Sequence, residues 1–227
     1  MASRDSDCSQ FAEGWRPDTL LGGLSAPLRA EMVCLGDERD FAAGDVLVRQ
    51  GSDRRETLLL LRGYVRVTAS SGGLTELLTI RAQGDVVGDP VTTVISSTPV
   101  VARVLPPDVL EGFLAPRPEA AALLQALKVA QLAGANRRRV EFATLTVRER
   151  LAWMLIELMA VLGEDGPGGS VRMPSWFGKA DLAGLTGALP NDIRRGLRSL
   201  HAEGLIDAGE GPLTVLAPAK LDAIRLR

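Results

Sequence analysis

Between positions 191 and 198 the chain carries Asn191, Arg194, Arg195 and Arg198, although its net charge is −2. These residue types suit one kind of recognition. Arginine grips guanine O6 and N7 with two parallel hydrogen bonds, and asparagine does the same for adenine. Ile193, Leu197 and Leu200 recur at i, i+4 and i+7 and form one apolar stripe. At roughly 100° per residue, Asn191, Arg195 and Arg198 fall opposite that stripe, with Arg194 on the flank. Pro190 suits a first helical position. On an isolated helix this pattern is more often a merely solvated basic face, so its neighbours must decide.

The neighbours favour DNA. "KADLAGL" (179–185) reads as a short helix, and "TGA" (186–188) is a tight turn built on Gly187. Helix, glycine turn and a second helix with an outward Asn/Arg face is the helix-turn-helix layout, whose second helix enters the major groove. Gly204 is a helix stop. "LIDA" and "LTVLA" flank a Gly/Pro turn and predict a small hairpin, the wing.

The rest of the chain must position this element. With 227 residues, one or two domains are expected, and aromatics at 4% imply aliphatic cores. Residues 137–227 hold 13 Lys/Arg against 11 Asp/Glu, and the first 136 hold 13 against 17, a mild asymmetry that favours DNA at the C-terminal end. The N-terminus lacks an apolar signal-peptide core, and no run of 18 apolar residues occurs, so a soluble cytoplasmic protein is expected. Cys8 and Cys34 have no metal-like spacing, and a reducing compartment disfavours a disulfide. Cys34 is expected to be a core filler, with a redox thiol as the lesser reading.

Residues 17–36 look helical with a break at Gly22-Gly23. Short β-like runs fill 41–105, punctuated by Gly and Asp turns, which predicts a sandwich or barrel. Residues 117–142 form one long helix pattern. Leu123, Leu124, Leu127, Ala130 and Gly134 line a stripe of shrinking side chains, read as a dimer seam against the alternative of packing on the β domain. Gly134 costs about 1 kcal/mol of helix stability, which fits a close backbone approach. Thr146-Val147-Arg148-Glu149 is a capping box that starts the next helix, and "GEDGPGGS" (163–170) reads as a flexible loop.

Taken together, "FAAGDVLVRQG" (41–51), "LLRGYVRV" (60–67), "GDVVGD" (84–89), "RERLAWMLIELM" (148–159) and "TGALPNDIRRGLRSLHAEGLI" (186–206) occur in an order that resembles the CRP/FNR transcription regulators. The likeness covers about residues 17–218. It implies an α+β fold: an N-terminal cyclic-nucleotide-binding-like β-roll (a double-stranded β-helix), a long dimerisation helix and a C-terminal winged helix-turn-helix. The expected divisions are a flexible tail 1–16, a sensory domain 17–116, the dimerisation helix 117–143 with seam residues Leu123, Leu127, Ala130 and Gly134, and a DNA-binding domain 144–227. The expected partners are double-stranded DNA, a second copy of the chain, RNA polymerase and a small-molecule effector, with no membrane.

Departures from the family pattern are informative. Its recognition helix usually begins Ser-Arg-Glu-Thr with a later arginine; here the positions read Leu189, Pro190, Asn191 and Asp192, and Arg195 matches the later arginine. The resemblance therefore implies a different half-site, read mainly by Asn191 and Arg195 with Arg194, and makes Arg198, Lys179 and Ser175 the candidates for phosphate contacts, with a cap as the plainer role for Ser175 and solvation for Lys179. Cyclic-nucleotide binders of this fold carry Gly-Glu and, about ten residues on, Arg-Ser/Thr-Ala. Here Gly88-Asp89 replaces the first, its side chain shorter by about 1.5 Å, and Thr98-Pro99 stands where the arginine would be, with Arg103 nearby. A buried phosphate without its cation is costly, so cAMP is not expected as a ligand and no cofactor is implied. Another nucleotide stays open: Arg49, Arg62, Arg66 and Arg81 could serve a cyclic dinucleotide, though surface solvation is the plainer role.

A haem sensor would want a histidine in the roll, and the single histidine is His201. A four-cysteine iron–sulfur cluster is excluded by two cysteines. No nucleophile–histidine pair, HExxH, Walker A loop or GxGxxG occurs, so no enzyme is expected. The competing class is an effector-binding or protein-interaction module whose winged helix binds a protein.

Overall fold

The computed structural model describes residues 14–53, 55–209 and 211–225. The chain divides into two compact units. One comprises the described residues up to Thr75 with Thr79–Ala133, and the other Glu76–Leu78 with the described residues from Gly134 onward. The division falls within the long helix, not at its C-terminal end near 143–146.

The first unit opens with two short helices, α1 (Leu20–Gly23) and α2 (Ala26–Met32). The helical break therefore lies at Leu24-Ser25, just beyond the glycine pair. Eight strands follow: β1 (Asp37–Phe41), β2 (Val46–Val48), β3 (Thr57–Arg62), β4 (Tyr64–Ser71), β5 (Leu74–Ala82), β6 (Val86–Val87), β7 (Thr93–Ser96) and β8 (Val100–Leu105). They form two four-stranded sheets, ordered β1-β8-β3-β6 and β2-β7-β4-β5. This is the expected roll.

Strand β3 shows why the sequence folds this way. Its unbroken run of leucines is buried on both faces, as an uninterrupted apolar strand should be. Leu58 and Leu60 pack with Val65, Val67, Val94, Val100, Ala102 and Val104. Leu59 and Leu61 point the other way, to Leu20, Leu21, Met32, Leu105, Phe113 and Leu124. Gly63 turns β3 into β4 at φ +87, and a Cβ there would strike the Pro99 carbonyl, so only glycine fits.

Helix α3 (Pro107–Leu114), which the sequence reading passed over, leads into α4 (Pro118–Thr144). Trp15 packs on the core beside α1, so the expected tail does not extend to residue 16; positions 1–13 of that expectation lie outside the described residues. Cys34 is not a core filler. Helix α2 has already ended at Met32, and Cys34 is exposed in the following turn and disulfide-bonded. Cys8, the other cysteine of the sequence, lies outside the described residues.

In the second unit the predicted capping box starts α5 (Val147–Leu162): the Thr146 hydroxyl accepts from the Glu149 amide, and the Glu149 carboxylate accepts from the Thr146 amide at 2.7 Å. The Thr146 hydroxyl, which also donates to the Glu149 carboxylate at 2.8 Å, and then the Thr146 amide hold that carboxyl below the usual range. The loop 163–170 is more ordered than its composition implies. It contains β9 (Glu164–Asp165) and a 3-10 turn (Pro167–Gly169) before β10 (Val171–Arg172). Helices α6 (Lys179–Thr186) and α7 (Pro190–Ala202) follow, then β11 (Ile206–Asp207), β12 (Thr214–Val215) and α8 (Pro218–Arg225). The wing sheet has the order β11-β12-β10-β9. No helix among the described residues is long and apolar enough to cross a membrane.

Candidate nucleic-acid interface

Helix α6 ends at Gly187, whose φ of 59 and ψ of 33 make it a left-handed C-cap. The Ala188 amide returns to the Ala183 carbonyl at 3.1 Å, closing the turn. Leu189 then caps α7 in an extended conformation, with Pro190 in the first helical turn. Helix α7 buries Ile193, Leu197 and Leu200. Its other face carries Asn191, Arg194, Arg195 and Arg198, all exposed. The sequence thus placed all four on one surface. Together with Lys179, His201, Ala208 and Gly209 they border a cleft of about 590 Å³ between α7 and the wing.

The four side chains differ in how they are held. Arg195 pairs with Asp192 at 2.6 Å across one helical turn, and Arg194 donates to the Asn191 side-chain oxygen at 3.3 Å. The Arg195 side chain stays 76% exposed, so the pair is a surface one of small energy. It fixes the guanidinium's starting position and leaves donors outward. Lys179 is exposed at the start of α6, and Ser175 is exposed in the preceding turn. Ser175 is not the cap of α6; Gly178 holds that place, its amide donating to Asp181 at 2.9 Å. His201 touches the wing: Nδ1 lies 3.1 Å from the Ile206 carbonyl oxygen and 3.8 Å from Asp207.

One residue that positions this face was missed. Gly196 is buried, and a Cβ there would run into Leu151 of α5. The glycine lets α7 lie close against α5. Its signal was available, because a glycine inside an amphipathic helix commonly has a packing reason.

In the first unit, an open cleft of about 620 Å³ lies between the roll and α4. Val67, Val86, Val94, Leu124 and Leu127 give it apolar walls, and Arg81, Lys128 and Asp89 border it. Of the five degenerate-cassette candidates, only Gly88 and Asp89 line it. Thr98 and Pro99 are committed elsewhere. The Thr98 hydroxyl accepts from the Tyr64 amide at 3.0 Å and closes the β7–β8 turn onto Gly63-Tyr64. Arg103 is also withdrawn. Strand alternation puts it on the helix side with Val101 and Leu105, where Nε donates to the Val33 carbonyl at 2.7 Å and the guanidinium pairs with Glu38 at 3.2 Å. Asp89 is held in its turn by the Val91 amide at 3.0 Å. Of Arg49, Arg62, Arg66 and Arg81, only Arg81 borders the cleft.

The expected seam residues divide between the core and the surface. Leu123 and Leu127 are half-buried against the core of the roll. Among the described residues no group lies within 4 Å of a Cβ built on Gly134. The exposed stripe of α4 runs instead through Ala122, Ala126, Val129, Ala133, Asn136, Val140 and Ala143. Ala130 is exposed at its edge. Leu123, Leu124 and Leu127 pack on the core of their own chain, while Val129, Leu132 and Val140 stay exposed.

With this geometry in view, comparison with known proteins is decisive for the C-terminal part. Residues 149–224 match the Crp-like helix-turn-helix domain. The C-terminal unit carries a Crp-like helix-turn-helix domain. This Crp-like domain spans α5 to α8 and includes the Asn/Arg face. For the whole chain, TTHA1359, a transcriptional regulator of the CRP/FNR family from Thermus thermophilus, is similar at a TM-score of 0.68 and 24% identity, covering 84% of this chain and 99% of that one. FixK2 from Bradyrhizobium japonicum is similar at a TM-score of 0.72 and 18% identity, with 84% and 97% covered. A CooA mutant from Carboxydothermus hydrogenoformans gives 0.69 at 16% identity, with 83% and 87% covered. The chain therefore has the CRP/FNR fold from the roll through the Crp-like domain. No curated protein sequence matches it.

Proposed function

We propose that the protein is a CRP/FNR-type transcription regulator that binds a roughly palindromic DNA site as a homodimer and does not require cAMP. The carrying observation is the exposed Asn191/Arg194/Arg195/Arg198 face on the second helix of a Crp-like helix-turn-helix domain. Asn191 and Arg195 read bases, with Arg194 beside them; Arg198, Lys179 and Ser175 hold phosphates. RNA polymerase is the natural further partner of such a regulator.

The homodimer reading rests on α4. Its exposed stripe alternates steps of four and three residues over 122–143, the spacing of a coiled-coil seam. Val129 and Val140 are 65% and 62% exposed, a large apolar area for a lone helix. A second copy laid parallel and in register brings Asn136 against Asn136, so each amide finds a partner. An antiparallel partner would set it against apolar side chains. A single seam asparagine fixes register and chain number at some cost in stability.

The cAMP reading rests on the roll. The cleft keeps volume but lacks the cassette, because Thr98, Pro99 and Arg103 are bonded into the fold. Enzymatic chemistry is not part of this proposal.

The experiment is a salt series of DNA binding alongside sedimentation of the same protein. A regulator that neutralises several phosphates loses affinity linearly in log–log salt. Lys179→Ala should lower that slope and weaken all sequences alike. Val129→Glu with Val140→Glu should yield monomers and lose binding. Salt-independent binding, or an undisturbed dimer in the double variant, would contradict the proposal.

A further inference from the structure

Leu189 is 71% exposed, the most exposed large apolar side chain of its unit among the described residues. It occupies a place where leucine does nothing for folding. An N-cap is served by Ser, Thr, Asp or Asn, whose side chains accept from the first helical amides. Leu189 sits there in an extended conformation with no side-chain cap bond to α7. The Leu189 carbonyl already accepts from the Asp192 amide at 2.9 Å and the Ile193 amide at 3.0 Å, so the helix start tolerates an apolar cap. The core does not use Leu189 either, since α7 turns Ile193, Leu197 and Leu200 inward instead.

Its position gives the exposed methyls a target. The N-terminal residues of a recognition helix are those that reach base edges. Leu189 lies two residues before Asn191, at the same end of α7 as the base-reading pair. In the major groove the one apolar feature among the four base pairs is the thymine 5-methyl group, read by apolar side-chain contact. Asparagine pairs with adenine, and adenine's partner is thymine, so both groups suit an A·T-containing stretch.

We propose that Leu189 is a specificity-determining residue that reads a thymine 5-methyl group in each half-site. The inference rests on the DNA-binding reading above. The test compares wild type and Leu189→Ala on the selected duplex, with each thymine replaced in turn by deoxyuridine, which removes only the methyl. Wild type should lose about fourfold in affinity per half-site at one thymine position, the worth of burying one methyl. Leu189→Ala should bind thymine and deoxyuridine duplexes equally at that position. The deoxyuridine arm uses unaltered protein, so it does not depend on the variant folding. Selective binding by wild type with no deoxyuridine-sensitive position, or the same sensitivity in both proteins, overturns the Leu189 assignment alone. Absence of any sequence-selective binding by wild type overturns the DNA-binding reading and Leu189 with it.

Discussion

Helix α7 and the roll cleft depart from the CRP/FNR motifs in different ways. On α7 the side chains changed, but the surface stayed available: Asn191, Arg194, Arg195 and Arg198 all remain exposed above a buried aliphatic stripe. In the roll, the residues standing where the cassette would be were drawn into the fold. Thr98 holds a turn, and Arg103 is 5% exposed and paired with Glu38. A changed but exposed residue can support altered specificity, whereas a buried and bonded one has lost contact with the ligand space.

The sharpest way to break this contrast is Arg195→Ala. A bidentate base contact is worth about 1–3 kcal/mol, so preference for the selected site should fall roughly ten- to a hundredfold per half-site, with non-specific binding nearly kept. Competition with random duplex measures it. Next comes the support beneath the face. Gly196→Ala forces a methyl against Leu151, and overpacking of this kind costs typically about 1–3 kcal/mol, read as a lower thermal midpoint of the Crp-like domain.

On the roll side the expected effects are smaller. Saturating cAMP should move the thermal midpoint by less than about 1 °C, whereas a ligand at a hundred times its Kd would add about 2.7 kcal/mol and several degrees. Asp89→Ala should leave site preference within about twofold, because Asp89 is none of the side chains proposed to read bases. A rise in midpoint with cAMP would erase the difference between the two regions.

The smallest effect concerns Asp85. Burial raises its carboxyl pKa, against the opposing pull of Arg81. A raised pKa means stability that is full below the ordinary aspartate range and lost as pH rises through the folded value. Asp85→Asn removes that dependence. The variant should therefore gain thermal midpoint relative to wild type as pH rises from about 4. A difference that stays flat with pH would contradict this.

Much of the architecture was legible because its signals are local. The stripe at 193, 197 and 200, the turn glycine at 187 and the capping box at 146–149 each depend on residues within a few positions, and the structure keeps all three. What the sequence did not show depends on competition between distant groups. The stripe of α4 did not show that the core of the first unit half-buries Leu123 and Leu127. Arg103 had an unknown direction until the register of β8 placed it beside Val33. Cys34 looked like a core residue because the helix pattern did not show that α2 stops at Met32.

The central claim is that the Asn191/Arg195 face reads a two-fold DNA site without cAMP. Its most direct test is selection from a random duplex library by wild type and Arg195→Ala, without nucleotide, at about 0.15 M salt. The account predicts a two-fold-symmetric motif for wild type and loss of defined positions in each half for the variant. The same motif from both proteins, or a wild-type motif only when cAMP is added, would contradict it.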